Sequence, residues 1–177
     1  MNKLYNFSKE NKIFKNIHHQ NIHPEGEEHK YKIFLDDTEL TKDFVIWYKK
    51  SYNHCHLSYI GFKEEFRGKG ILKNYIHPHC IEYMRKNGVE KVTLRPLVKA
   101  FIVWVSLGFE IIKKSEELSV KQLIKEYLLE NDIISTEDFG NMSLQEIVKK
   151  YKEVLKNENF PPKLEKVYYT NFQKALK

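Results

Sequence analysis

Cysteine is nearly missing from this chain. The two present, Cys55 and Cys80, are too few for a disulfide framework and read as reduced thiols of a cytosolic protein. Long apolar runs are missing too. The longest, "FIVWVSLGF", spans only Phe101 to Phe109, whereas a bilayer span takes roughly 20 apolar residues. No membrane segment is therefore expected. The opening "MNKLYNFSKENK" has no apolar h-region, so a secretory signal is not expected either. Internal repeats are absent. Glycine is sparse, and three of the seven glycines fall together at Gly61, Gly68 and Gly70.

What is present is a globular composition. Of 177 residues, 41% are hydrophobic and 14% aromatic, and the aromatics are spread along the chain. That supports a core and excludes global disorder. The length fits one domain with room for a lobe or insertion. The formal charge is +6, with a pI near 9.1. Mild basicity suits an anionic ligand or partner without choosing among phosphate, nucleic acid and acidic protein.

Pattern along the chain predicts alternating strands and helices. "NKIFKNIHH" reads as a first strand and "NIHPEGEEHK" as a loop. Tyr31–Asp37 and Asp43–Lys50 are rich in β-branched and aromatic residues around a turn, which predicts a hairpin. Asn53–Phe62 is a further strand, whose alternation puts His54, His56, Ser58 and Ile60 on one face. Helical spacing follows in Ile71, Leu72, Tyr75, Ile76, Cys80, Tyr83 and Met84. Pro78 interrupts it and predicts a kink near Asn74–His77 or a broken helix; Gly88 is placed to stop it. Val89–Pro96 reads as a strand, Leu97–Gly108 as a short helix, and Phe109–Lys114 as a strand. "SVKQLIKEYLLE" is a one-sided helix. "SLQEIVKKYKEVL" opens with a capping box, Ser143 to Glu146. Pro161-Pro162 closes that section, and Lys166–Phe172 reads as a last strand.

Strand, glycine loop, helix and strand in that order make a βαβ unit, whose right-handed crossover sets the two strands parallel. The loop feeds a helix start, where unpaired N–H groups and the helix dipole favour anions. Gly68 and Gly70 allow close backbone approach or positive φ, and Arg67 and Lys69 add charge. At about 1.5–3 kcal/mol for each charge-assisted bond, three or four suffice for a diphosphate. Two familiar loops do not fit. A Walker loop wants glycine where Lys63 stands and Ser or Thr where Gly70 stands; a dinucleotide loop wants glycine where Lys73 stands.

"EEFRGKGI", after an apolar strand and before a helix, resembles the acetyl-CoA loop of the GNAT N-acetyltransferases, Arg/Gln-x-x-Gly-x-Gly/Ala. Arg67 and Gly70 match; Leu72 departs at the last position. "KAFIVWVSLGFEII" is similar to the family's Ala-x-x-x-Tyr-x-x-x-Gly-Phe segment through Ala100, Gly108 and Phe109, and "KVYYTNFQKAL" is similar to its last strand. The resemblance implies an α/β fold with a GNAT-like mixed central sheet and a βαβ cofactor-binding core. It is expected as a single domain over 1–177, with 115–162 as a helical insertion before the last strand.

It also implies acetyl transfer from acetyl-CoA to an amine. The strand through Ser58, Ile60 and Phe62 would pair its backbone with the pantetheine arm. The N–H groups of Arg67, Gly68, Lys69, Gly70, Ile71 and Leu72 would hold the pyrophosphate. His54 falls where some members carry a glutamate base. With an unperturbed pKa near 6.5, histidine suits that role, and His56 shares its face. The family's tyrosine acid is replaced by Trp104, counted here with the cofactor-binding residues, and its upstream asparagine by Leu97. Ser106 is nearby in sequence only, so no general acid is identified. A thiol pKa of about 8.5 makes coenzyme A a tolerable leaving group without one.

His54-Cys55-His56 and His77-Pro78-His79-Cys80 have the residue types of metal ligands, but nothing in the sequence brings them together, and no metal is expected. The lysine-rich helices interleave Glu with Lys, the pattern of a solvated face, where a nucleic-acid reader wants an unbalanced basic stripe. The expected partner is an amine on a small molecule or peptide, in the cytoplasm, with a homodimer left open. Two other readings stand beside the enzyme: a CoA-binding or protein-interaction module that has lost turnover, motivated by Trp104 and Leu97, and a basic RNA-binding domain gripping phosphate through "FRGKGILK".

Overall fold

The computed structural model describes residues 14–23, 26–35, 37–49, 53–97, 100–135, 141–156 and 171–176, the first segment by its backbone. It divides into two compact units, Met1–Leu94 with Ala175–Lys177, and Arg95–Lys174. Where the sequence suggested one domain with an insertion from 115, the division falls at Leu94–Arg95.

The first unit is a mixed sheet. Its strands are β1 (Phe14–His23), β2 (Gly26–Leu35), β3 (Thr38–Glu39), β4 (Thr41–Lys49), β5 (His54–Phe62) and β6 (Lys91–Leu94). They run in the order β1-β2-β4-β5-β6, with β3 paired to β2. All these pairs are antiparallel except β5 with β6, which is parallel. This is the α/β class and the βαβ core expected. The hairpin forms between β2 and β4, with Tyr31 opposite Phe44. Its first strand starts at Gly26, inside the segment read as a loop. The reason is its polarity: Glu27 and His29 occupy inward positions that hydrophobic patterning assigns to apolar residues.

Period-two alternation gives this sheet one buried face. Tyr31, Ile33, Phe44 and Ile46 are almost wholly inaccessible, and each such side chain contributes about 1.5–3 kcal/mol on burial. The polar residues among them are paired. His29 Nε2 lies 3.2 Å from Glu27 Oε2, and Ile33 N–H donates to Thr41 Oγ1 at 3.0 Å. Such pairing is the condition under which buried polar groups are tolerated.

Between β5 and β6 the chain makes a 3₁₀ turn (Glu64–Phe66), a π-helical turn (Leu72–Ile76) and helix α1 (His77–Lys86). The π turn is the predicted irregularity. Pro78 has no N–H to offer Asn74, and just before it the His77 N–H reaches back to Leu72 O instead. Ile76, Cys80, Ile81, Tyr83 and Met84 are the buried positions. Gly88, at φ 74°, ends the helix in a Schellman motif: Gly88 N–H bonds Arg85 O at 3.0 Å and Val89 N–H bonds Met84 O at 2.9 Å. At the far end of the chain, Leu176 N–H donates to Glu90 O at 2.8 Å.

The second unit contains α2 (Phe101–Ser106), β7 (Glu110–Ile111), α3 (Lys114–Glu130), α4 (Leu144–Lys150), α5 (Lys152–Leu155) and β8 (Phe172–Ala175) up to Lys174. β7 and β8 are antiparallel, with Ile111 opposite Phe172. Phe101 meets Phe172 edge-on at 5.6 Å, and Ile124, Leu128 and Ile147 are fully buried. The capping box forms at α4: Ser143 N–H bonds Glu146 Oε2 at 2.7 Å and Glu146 N–H bonds Ser143 Oγ at 3.2 Å. The helix predicted beyond it is interrupted at Tyr151, whose ψ of 20° separates α4 from α5. β7 is shorter than predicted because Lys114 already begins α3. The predicted strand over Lys166–Phe172 lies outside the described residues up to 170, as do Pro161 and Pro162.

Candidate functional site

The site is built on β5, whose two halves face different neighbours. Against β4 the register runs Lys49–His54, Trp47–His56 and Ile46–Leu57, then skips to Val45–Tyr59 and Phe44–Ile60. Ser58 is the extra residue of a β-bulge, which shifts the alternation by one. Directly paired residues share a face. Ile60, opposite buried Phe44, therefore sits on the face of Cys55 and Leu57, and Tyr59 joins His54 and His56. The single face expected for His54, His56, Ser58 and Ile60 is corrected at Ile60 for this reason. The Tyr59 ring lies over Gly61, on the same face, so close that a Cβ there would collide with the phenol.

Against β6 the pairing is short. It covers His54–Lys91, Cys55–Val92, His56–Thr93 and Leu57–Leu94, and there β6 ends. Residues 58–62 of β5 have no strand on that side among the described residues. Their backbone groups form an open edge, which in soluble proteins invites another extended chain.

The edge leads into the glycine loop. Gly68 and Gly70 both take φ of 72°, a region nearly closed to other residues. A Cβ at Gly68 would meet nothing within 4 Å, and one at Gly70 would meet the Asn74 side-chain nitrogen at 3.1 Å. The first helical bond is Asn74 N–H to Gly70 O, 2.9 Å. A helix start leaves four N–H groups over, here Gly70 to Lys73, and those of Gly68 and Lys69 lie in the turn just before it. Arg67 differs from the expectation. Its backbone N–H is already bonded to Glu64 O at 3.1 Å, so its contribution to the loop is the guanidinium. That group is 58% exposed, and its Nε donates to Phe62 O at 3.2 Å. Lys69 Nζ stands 5.8 Å from the Phe66 ring centroid. Ile71 and Leu72 are half-buried. Leu72 opens the π turn that Pro78 induces, and the family-like pattern departs at that residue.

At the other end of β5, His54 and His56 converge on a residue that sequence reasoning missed. Thr93 Oγ1 lies 2.7 Å from His54 Nε2 and 3.0 Å from His56 Nδ1, and Thr93 is 7% exposed. The parallel register opposite His56 brings it there. The signal was one polar residue inside an apolar strand, "KVTL". Burial holds the His54 pKa below the usual histidine range, helped by the positive charges of Lys91, His56 and Lys49. Its surroundings therefore favour the neutral ring, which keeps a lone pair.

The remaining candidates lie in both units. Trp104 belongs to the second unit, where it is buried and meets Phe109 edge-on at 5.3 Å. Ser106 Oγ donates to Ile102 O at 2.7 Å, one turn back on its own helix. Leu97 is 57% exposed. Cys55 and Cys80 are buried free thiols, and burial pushes the Cys55 pKa up to about 12 and the Cys80 pKa higher still. Cys55 faces away from His54 and His56. Among the described residues no group of three or more His, Cys, Asp or Glu side chains is placed to hold a metal ion. No helix among them is long and apolar enough to cross a membrane.

No protein-family model matches the chain, and no curated protein does. Solved acetyltransferase structures do align with it. Nourseothricin acetyltransferase matches at 17% identity and a TM-score of 0.39, over 50% of this chain and 52% of that one. Tetrahymena GCN5 matches at 12% identity and a TM-score of 0.43, over 50% and 56%. A Bacillus subtilis acetyltransferase, solved in complex with CoA, matches at 20% identity and a TM-score of 0.41, over 50% and 57%. In each alignment the shared part is about half of both chains.

Proposed function

We propose that this chain is an acetyl-CoA-dependent N-acetyltransferase that moves an acetyl group to an amine on a small molecule or peptide. One observation carries the reading: a strand edge that no strand among the described residues pairs, residues 58–62 of β5, runs directly into a cradle of backbone donors from Gly68 to Lys73. That continuity suits a long ligand with an amide-bearing arm and a diphosphate at one end. The cradle has room for phosphate oxygens, because the space a Cβ would take at Gly68 is empty. Gly68 to Leu72 would hold the diphosphate through N–H groups, with Arg67 and Lys69 adding charge from their side chains. The edge of Ser58 to Phe62 would hold the arm.

When bound, acetyl-CoA supplies an acetyl group activated as a thioester. The chain's own residues must deliver a neutral amine. An alkylammonium with a pKa near 10.4 costs about 4–5 kcal/mol to deprotonate at pH 7, and a positioned base offsets part of that. His56 is the better placed of the two histidines. It stands two residues before Ser58, whereas His54 lies one strand repeat further into the paired half of β5. We assign proton removal to His56, with His54 behind it.

Thermal unfolding with increasing acetyl-CoA tests the binding half. Stability rises as RT ln(1 + [L]/Kd), about 2.7 kcal/mol at one hundred times Kd. No shift at millimolar acetyl-CoA would sink the reading. Trp104, standing where the family carries its acid, favours a second one: a CoA-binding module without turnover. That reading predicts the same stabilisation and no acetylation across a wide amine panel.

A further inference from the structure

We infer that Thr93 is a positioning residue that couples His54 and His56 into one proton-holding unit and passes the amine proton from the open edge toward solvent. The inference rests on the transferase reading for its purpose, but not for its geometry. A single hydroxyl lies within hydrogen-bond distance of a nitrogen on each ring, 2.7 Å for His54 Nε2 and 3.0 Å for His56 Nδ1.

Hydrogen counting limits what this arrangement can be. A threonine hydroxyl has one proton to donate and two lone pairs to accept with. It cannot donate to both rings. If both contacts are hydrogen bonds, at least one ring carries its proton on the nitrogen facing Thr93. The arrangement that leaves His56 able to act as a base has His56 Nδ1–H donating to Thr93 Oγ1 and the Thr93 hydroxyl donating to His54 Nε2. The His56 lone pair is then on Nε2, and the His54 proton is on Nδ1.

The transfer balances. The ammonium of the acceptor gives a proton to His56 Nε2, which makes His56 an imidazolium. His56 Nδ1 then passes its proton to Thr93 Oγ1, while Thr93 passes its own proton to His54 Nε2. Thr93 ends as a neutral hydroxyl with its hydrogen bonds reversed, His56 is neutral, His54 is an imidazolium that loses its Nδ1 proton to water, and exchange of the ring protons with water restores the starting tautomers before the next turnover. The surrounding charges favour that last step. Lys49, across from His54 on β4, and Lys91, across from it on β6, both oppose a positive His54. Facing His56 from the same two strands are Trp47 and Thr93, neither of which carries charge. The proton is therefore released beside cations.

Long-range ¹H–¹⁵N NMR of the histidine rings in the full chain tests this without any ligand. At neutral pH the spectrum is expected to show the Nδ1–H tautomer for both His54 and His56, and mutually dependent titrations. Thr93→Val keeps the shape and removes the hydroxyl; it is expected to change the tautomer of at least one ring and uncouple the titrations, and Thr93→Ser to restore both. Nδ1 of His56 unprotonated together with Nε2 of His54 unprotonated in the wild type would overturn the proposal, and so would a Thr93→Val spectrum with tautomers and titrations unchanged. Failure of acetyl-CoA to bind leaves these spectra as they are, so the two readings fail separately.

Discussion

The two halves of β5 differ in what lies beside them. From His54 to Leu57 the strand is flanked on both sides, and its ring nitrogens are tied to a buried hydroxyl on β6. From Ser58 to Phe62 no strand among the described residues takes the place of β6, and the edge is left to backbone groups, of which Phe62 O is held by Arg67 Nε. The Ser58 bulge marks the change. One strand thus has a closed half, where protons can be held in a defined place, and an open half, where an extended ligand can pair. The lesson is that binding and proton transfer are separable here, and mutations can be chosen to strike one half alone.

The largest expected effect is in the closed half. His56→Ala is expected to lower kcat/KM for amine acetylation by about 100-fold or more, the usual range for losing a general base, with acetyl-CoA stabilisation unchanged. His54→Ala should cost less, about tenfold. A larger loss from His54 than from His56 would reverse the assignment. Next comes the open half. Gly70→Val forces a β-branched residue to φ of 72°, a strain of about 1–3 kcal/mol. Acetyl-CoA affinity measured by calorimetry is expected to fall by at least about tenfold, while the His54 and His56 ring spectra stay as in the wild type. Arg67→Ala removes one exposed, partly screened cation, and its expected cost is about threefold to tenfold in affinity.

The smallest effect is on acid stability. His54 titrates below its unfolded value, because burial and nearby cations disfavour its charged form. Below about pH 6.5 the unfolded chain therefore binds the proton first. Stability contributed at this position is unaffected above that pH, falls as pH drops toward the folded pKa, and then levels off. His54→Gln should flatten that part of the Tm–pH curve. An unchanged slope would mean that His54 is not held neutral by its surroundings.

Local chemistry is legible in the sequence itself. The Gly68 and Gly70 loop, the Pro78 irregularity, the Gly88 stop and the Ser143–Glu146 capping box each depend on a few adjacent residues, and each is found. What failed depended on register. The Ser58 bulge leaves no mark in composition, so Ile60 was placed on the wrong face. Thr93 is one hydroxyl on a separate strand, and only the parallel pairing brings it to both histidines. Arg67 N–H was counted as a free donor because a 3₁₀ turn at Glu64–Phe66 has no strong sequence signature. The strand from Gly26 to Lys30 was read as loop because buried Glu27 and His29 pair with each other instead of being apolar.

Backbone hydrogen exchange with and without acetyl-CoA tests the central claim most directly, since it reads the open edge and the cradle amide by amide. Protection is expected in residues 58–62 and 68–73, with His54 to Leu57 little changed because β4 and β6 already flank them. Binding that protects other segments and leaves these two as they were would contradict the account, as would no protection at saturating acetyl-CoA.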